Sequence, residues 1–122
     1  MSRLPISAAG IAAVVGAREI GAAEVVAAHL DAIARHGDLN AFTLVDEAGA
    51  REAAAALDRR LAAGEPPGPL AGVPVALKDL IDQAGLPTTC GSSFYRVVPE
   101  ASAAVVRRLE QAGAIILGRA GL

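Results

Sequence analysis

Between positions 73 and 117 the apolar spacing changes twice, and that change constrains the fold more than any other feature of the chain. Val73, Val75 and Leu77 recur at every second residue, the spacing that lines one face of a strand, with Pro74, Ala76 and Lys78 on the other. The segment 82–99 carries Gly85, Pro87, Gly91 and Pro99 and reads as a long loop with an ordered turn at 88–92. Ser102 then caps an amphipathic helix carrying Val105, Val106 and Leu109, Gly113 ends it, and 114–117 returns as an apolar strand. Two strands separated by a helix form a parallel pair, and such a crossover is right-handed. The expected class is α/β: N-terminal helices, then part of a mixed β-sheet.

Composition sharpens this expectation. Hydrophobic residues make up 53% of the 122 positions but aromatics only 2%, so the apolar content is alanine, valine and leucine. A small domain with so few large side chains is marginal alone. Elements this apolar are typical of the covered interior of a larger α/β protein. The 122 residues are therefore expected to be an incomplete N-terminal portion, with a helical section over about 7–63 and the start of an α/β core over about 69–122.

The helical section reads in three parts. Ser7 is the N-cap of a helix over 8–17, and Gly21 restarts the chain. A second helix over 22–36 places Val26, Leu30 and Ile33 on one stripe, with Asp31 and Arg35 paired four residues apart and Gly37 just past the end. His29 falls within the apolar stripe and is read as a half-buried histidine bonded to backbone; His36 suits the negative end of the helix dipole. A short strand over 41–45 precedes Asp46, the cap of a third helix reaching about 63. Leu57 and Leu61 are its only large apolar residues, which predicts a surface helix. Gly64 to Pro69 breaks regular structure and forms a loop.

Several function classes drop out. A net charge of −2, with basic runs no longer than Arg59-Arg60 or Arg107-Arg108, gives no footprint for a phosphate backbone, so no direct nucleic-acid partner is expected. One cysteine, Cys90, builds neither an internal disulfide nor a multi-cysteine metal site, which suits a reducing compartment. Residues 4–17 are uncharged and follow Arg3, but Pro5, Ser7 and Gly10 interrupt the run and it is too short to span a membrane. The expectation is a cytoplasmic protein with no membrane partner, no metal and no cofactor.

The cations single out one residue. Ten of the eleven are arginine, and the one lysine is Lys78. Arginine stays protonated in proteins, whereas burial can leave a lysine amine neutral and basic. Lys78 ends a strand whose neighbours on its face are small. The alternative is an ordinary charged strand end. Asp79 follows it directly, points the other way if the strand continues, and reads as a turn or cap residue.

Four ordered blocks carry a resemblance. Gly72-Val73-Pro74-Val75-Ala76-Leu77-Lys78-Asp79, Gly85-Leu86-Pro87-Thr88-Thr89-Cys90-Gly91-Ser92, Val105-Val106-Arg107-Arg108-Leu109-Glu110-Gln111-Ala112-Gly113-Ala114 and Leu117-Gly118-Arg119 resemble consecutive N-terminal blocks of the amidase signature family. The likeness spans about 6–122, most sharply from Pro69. It implies a Ser-cisSer-Lys triad cleaving carboxamides, with Lys78 as its lysine, and Thr88, Thr89, Gly91 and Ser92 in an ordered loop supporting the site. Burial would then lower the Lys78 pKa for its role as base. The family's two serines lie in a Gly/Ser-rich segment well beyond the position of Leu122, so these 122 residues are expected to be inactive alone. Ser92 and Ser93 match the block after the lysine strand and are read as structural.

The resemblance implies a small-molecule amide substrate and no cofactor; a homodimer or the partner subunits of an amidotransferase are both open. General amidases fit better than the A subunit of glutamine-dependent aminoacyl-tRNA amidotransferase. That subunit commonly has asparagine after Lys-Asp where this chain has Leu80-Ile81-Asp82, often has Lys-Thr-Asn where Arg119-Ala120-Gly121 stands, and frequently has aspartate where Ser102 stands. Two other classes compete. A nitrilase-like site would use Cys90 with Lys78 and a carboxylate, but no strand-to-helix elbow surrounds Cys90. A small noncatalytic interaction module would show a closed core and protected sheet edges.

Overall fold

A computed structural model describes residues 4–122; Arg3 and the two residues before it lie outside that range. The first helix, α1 (Ala8–Gly16), begins where expected because the Ser7 hydroxyl accepts from the Gly10 N–H at 3.0 Å. Helix α2 (Ala22–Arg35) follows Gly21, a cap residue with no side chain to offer. Its first two free N–H groups are instead taken up from α3 (Glu47–Ala62). The Asp58 carboxylate accepts from Ala22 N at 2.7 Å and Ala23 N at 3.0 Å. A short 3₁₀ turn and the strand β1 (Phe42–Val45) connect the two helices, and Asp46 caps α3 by accepting from Gly49 N at 3.2 Å.

The second half forms β2 (Pro74–Lys78), α4 (Ala104–Gln111) and β3 (Ile115–Ala120). The sheet order is β1-β3-β2, with β2 parallel and β1 antiparallel to β3. It is thus a mixed sheet, as the residue pattern implies. Central β3 faces two cores. Ile115 and Leu117 join Val15, Val25, Val26, Leu57 and Leu61 of the helical layer, whereas Ile116 meets Leu77 and Val106 of α4.

Three local expectations are corrected. Val73, Val75 and Leu77 do not share one face. Val73 belongs to the helical-layer core, Leu77 to the α4 core, and Val75 touches both, with a register shift between Val75 and Ala76 in the pairing to β3. Helix α3 is not merely superficial: Ala50 and Ala54 are buried beside Leu57 and Leu61, since small side chains let helices approach closely. Ser102 does not cap α4. Ala103 holds that position without a side-chain bond, and the Ser102 hydroxyl accepts from Ala84 N at 2.9 Å, tying the long loop to the helix start.

Gly113 ends α4 at φ +100, where a Cβ would lie 2.9 Å from Ala71 Cα; only glycine permits that turn and that approach together. Large apolar side chains remain in solvent at Ile6, Leu39, Leu80, Phe94 and Leu122. Among the described residues no helix is long and apolar enough to cross a membrane.

Candidate active site

Strand β2 ends at Lys78, which pairs with Ala120 of β3 and is exposed. The burial expected for a base lysine is therefore not supplied by these residues. The peptides around Lys78 are nonetheless fixed. Asp79 N donates to Ala120 O at 2.9 Å, and the Lys78 carbonyl accepts from Ile81 N at 3.0 Å.

Asp79 is the centre of what the sequence did not reveal. It opens a turn after β2, as its position suggests, yet its side chain is no surface turn carboxylate: the residue is 1% exposed, and Arg119 beside it is 0% exposed. The Asp79 carboxylate accepts from Thr89 N at 2.9 Å, from the Thr89 hydroxyl, from the Thr43 hydroxyl at 3.4 Å and from Arg119 Nε at 3.4 Å. Burial works to raise the Asp79 carboxyl pKa. Donation from the Thr89 side chain and backbone, with the Arg119 charge and N–H, outweighs it and holds the carboxyl below its ordinary value. Arg119 also donates through Nη2 to Ile81 O at 2.5 Å and Thr88 Oγ1 at 3.2 Å; its Nη1 is buried without a hydrogen-bond partner among the described residues.

The loop residues singled out in the sequence sit at different points of this cluster. Thr88 is buried, donates its hydroxyl to Asp82 Oδ1 at 2.9 Å and bridges by backbone to Val97. Thr89 binds Asp79 through both backbone and side chain. The next N–H, of Cys90, donates to Asp79 O at 2.8 Å. Cys90 is exposed, with a free thiol and φ +54, and Gly91 follows at φ +71. Ser92 lies outside the cluster, its N–H donating to Thr89 O at 2.9 Å and its hydroxyl accepting from Phe94 N at 3.2 Å. His29 bonds to Val25 O at 2.8 Å, the backbone partner expected of it.

A cavity of about 460 Å³ lies elsewhere: Ile33, His36, Leu39, Phe42 and Val45 line it, and none of the cluster residues does. Among the described residues no three His, Cys, Asp or Glu side chains converge to hold a metal.

What the arrangement offers chemically is one exposed amine at the end of a paired strand, a loop hydrogen-bonded to the next residue and a buried ion pair. Comparison with known proteins gives the family. The profile of the family described as Amidase matches residues 24–122, and the chain belongs to that amidase signature family. It is 49% identical over 118 residues to the A subunit of glutamyl-tRNA(Gln) amidotransferase from Acidothermus cellulolyticus, a match covering 95% of this chain and 23% of that protein. Among solved structures it is similar to the peptide amidase of Stenotrophomonas maltophilia, with TM-score 0.88, 33% identity and coverage of 96% of this chain and 25% of that one. It also resembles a chain of a vestigial complex bearing on the origins of an s-triazine catabolic enzyme, with TM-score 0.92, 36% identity and coverage of 96% and 26%. The chain spans about a quarter of the length of these relatives.

Proposed function

We propose that this chain supplies the lysine of a Ser-cisSer-Lys site that cleaves the C–N bond of carboxamides. The supporting observation is the position of Lys78: the one lysine of the chain, on the end of β2, within the family-matched stretch, with its flanking peptides fixed. In this reading neutral Lys78 takes a proton from the bridging serine, which takes one from the nucleophilic serine. The serine oxygen attacks the amide carbon, the C–N bond breaks, and ammonia or an amine leaves with the relayed proton. Water then hydrolyses the acyl ester and regenerates the serine. Both serines belong to parts of the full-length protein outside these 122 residues. The 122 residues form the N-terminal portion of that single domain and are inactive alone.

A general amidase releasing its products to solvent remains the first choice, on Leu80-Ile81-Asp82 and Arg119. A second reading, the A subunit of an amidotransferase passing ammonia to partner subunits, is favoured by the 49% identity to a protein of that kind. The free thiol of Cys90 suits the cytoplasm, the compartment both readings share.

Ammonia release and hydroxamate formation with hydroxylamine, measured on full-length protein, test the proposal. Turnover of small carboxamides by the protein alone supports the general amidase; turnover of glutamine only with partner subunits supports the second reading. No acyl transfer to water or hydroxylamine under either condition overturns both.

A further inference from the structure

The ion pair behind Lys78 has a job that the proposed mechanism does not use. Lys78 is exposed, so packing among the described residues does not set where its amine points. What sets it is the backbone on either side: pairing with β3 holds the strand, and the bonds that tie the strand end to the loop 88–90 and to β1 run through two buried residues. Asp79 receives the Thr89 N–H, the Thr89 hydroxyl and the Thr43 hydroxyl on its carboxylate, and the Cys90 N–H on its carbonyl. Arg119 reaches past it to the Ile81 carbonyl and the Thr88 hydroxyl, while the Thr43 hydroxyl is 3.2 Å from the Arg119 carbonyl. Strand β1, the end of β2, strand β3 and the loop 88–90 thus converge on one carboxylate and one guanidinium.

Neither group is suited to move the proton itself. The carboxylate is held in its charged form by its donors, and arginine does not give up a proton in proteins. A fully buried charged pair is a poor way to gain stability, since its desolvation cost offsets the attraction, and an apolar pair would serve as well. The pair at this position fits a need for directional bonds in fixed places. A forked guanidinium supplies them at several angles, and a carboxylate accepts from several sides at once.

We propose that Asp79 and Arg119 are positioning residues for Lys78, fixing the end of β2 and the loop 88–90 in the one arrangement that brings the amine to the bridging serine. The inference rests on the proposed lysine role.

The test uses active full-length protein and four variants: Lys78→Ala, Arg119→Met, Arg119→Lys and Thr89→Val. For each, kcat and KM are measured on samples whose thermal unfolding shows them folded, together with hydrogen exchange of the Thr89 and Cys90 amides. Arg119→Met is expected to lower kcat by about 10- to 100-fold with KM changed less than about threefold, the scale of loss when a reacting group is misplaced by about 1 Å. Exchange at Thr89 and Cys90 should accelerate in step, and Arg119→Lys, which keeps the charge but donates from one nitrogen in place of a fork, should recover part of kcat. Thr89→Val removes one hydroxyl at a half-buried position and should show the same pattern more weakly. It decides the matter if Arg119→Met does not fold. A folded Arg119→Met or Thr89→Val with native kcat, or with kcat and KM worsened alike, overturns the positioning role. Native turnover in Lys78→Ala overturns instead the lysine assignment on which it rests, so the two failures are told apart.

Discussion

Replacing Asp58 by alanine should loosen the helical layer by more than an ordinary surface change. Its carboxylate takes two N–H groups at the start of α2, whose own cap position is Gly21, and it arrives from a helix 36 residues further along the chain. Loss of a capping acceptor costs about 0.5–2 kcal/mol. Removing a negative charge from the positive end of a helix dipole adds about 0.3–1 kcal/mol, toward the lower figure at this partly exposed position. The total is about 1–2.5 kcal/mol, to be read as a lowered urea midpoint of the full-length protein. Asp58→Asn keeps one acceptor oxygen of the two and should lose the charge contribution and one of the two bonds, an effect smaller than that of alanine. Gly21 sits with φ −75 and ψ 148, a conformation serine adopts readily, but a Cβ there would lie 3.2 Å from Asp58 Oδ2. Alanine at 58 frees that space, so adding Gly21→Ser to Asp58→Ala should recover about 0.3 kcal/mol through a local cap. Urea unfolding of the four proteins measures this directly. If Asp58→Ala unfolds at the parent's midpoint, the bonds are not what holds α2 to α3.

Gly118→Ala should prevent normal sheet formation, because its Cβ would lie 2.3 Å from Leu44 O of the neighbouring strand; circular dichroism melting should show a loss of at least about 2 kcal/mol. Asp79 gives stability an acid limb. Its folded pKa lies below its unfolded one, so its contribution is fully present above the unfolded value and is lost as pH falls through the lowered folded value. Stability against pH should therefore fall through the acid range in the parent and fall less in Asp79→Asn. Cys90→Ser should leave amidase turnover of the full-length protein within about twofold, and iodoacetamide should label the exposed thiol without abolishing activity; a large loss by either route would revive a cysteine nucleophile.

Much of the fold was legible because it follows from local rules. The caps at Ser7 and Asp46, the extent of α2, the break at Gly113 and the parallel strand pair all come from spacing and cap chemistry that act within a few residues. Ser102 misled for an instructive reason: a hydroxyl at a helix start is also free to reach another segment, and here it takes the Ala84 N–H. The register shift beside Val75 misled because strand alternation is a local rule that pairing with β3 interrupts. The cluster around Asp79 was illegible for a stronger reason. Thr43, Asp79, Thr89 and Arg119 come from four separate segments, and no spacing rule connects them. One clue was present: Arg119 is the single charged residue in the otherwise apolar stretch 114–120, and a charge in a central strand needs a buried counter-charge.

The comparison of Lys78→Arg with Lys78→Ala in active full-length protein tests the central claim most directly. Arginine keeps the positive charge but cannot accept a proton at accessible pH. If Lys78 is the base, both variants lose turnover by about 10²–10⁴-fold while retaining the parent's unfolding midpoint within a few degrees. If Lys78→Arg folds normally and keeps near-native turnover, Lys78 serves as a structural cation and the account of the site is wrong.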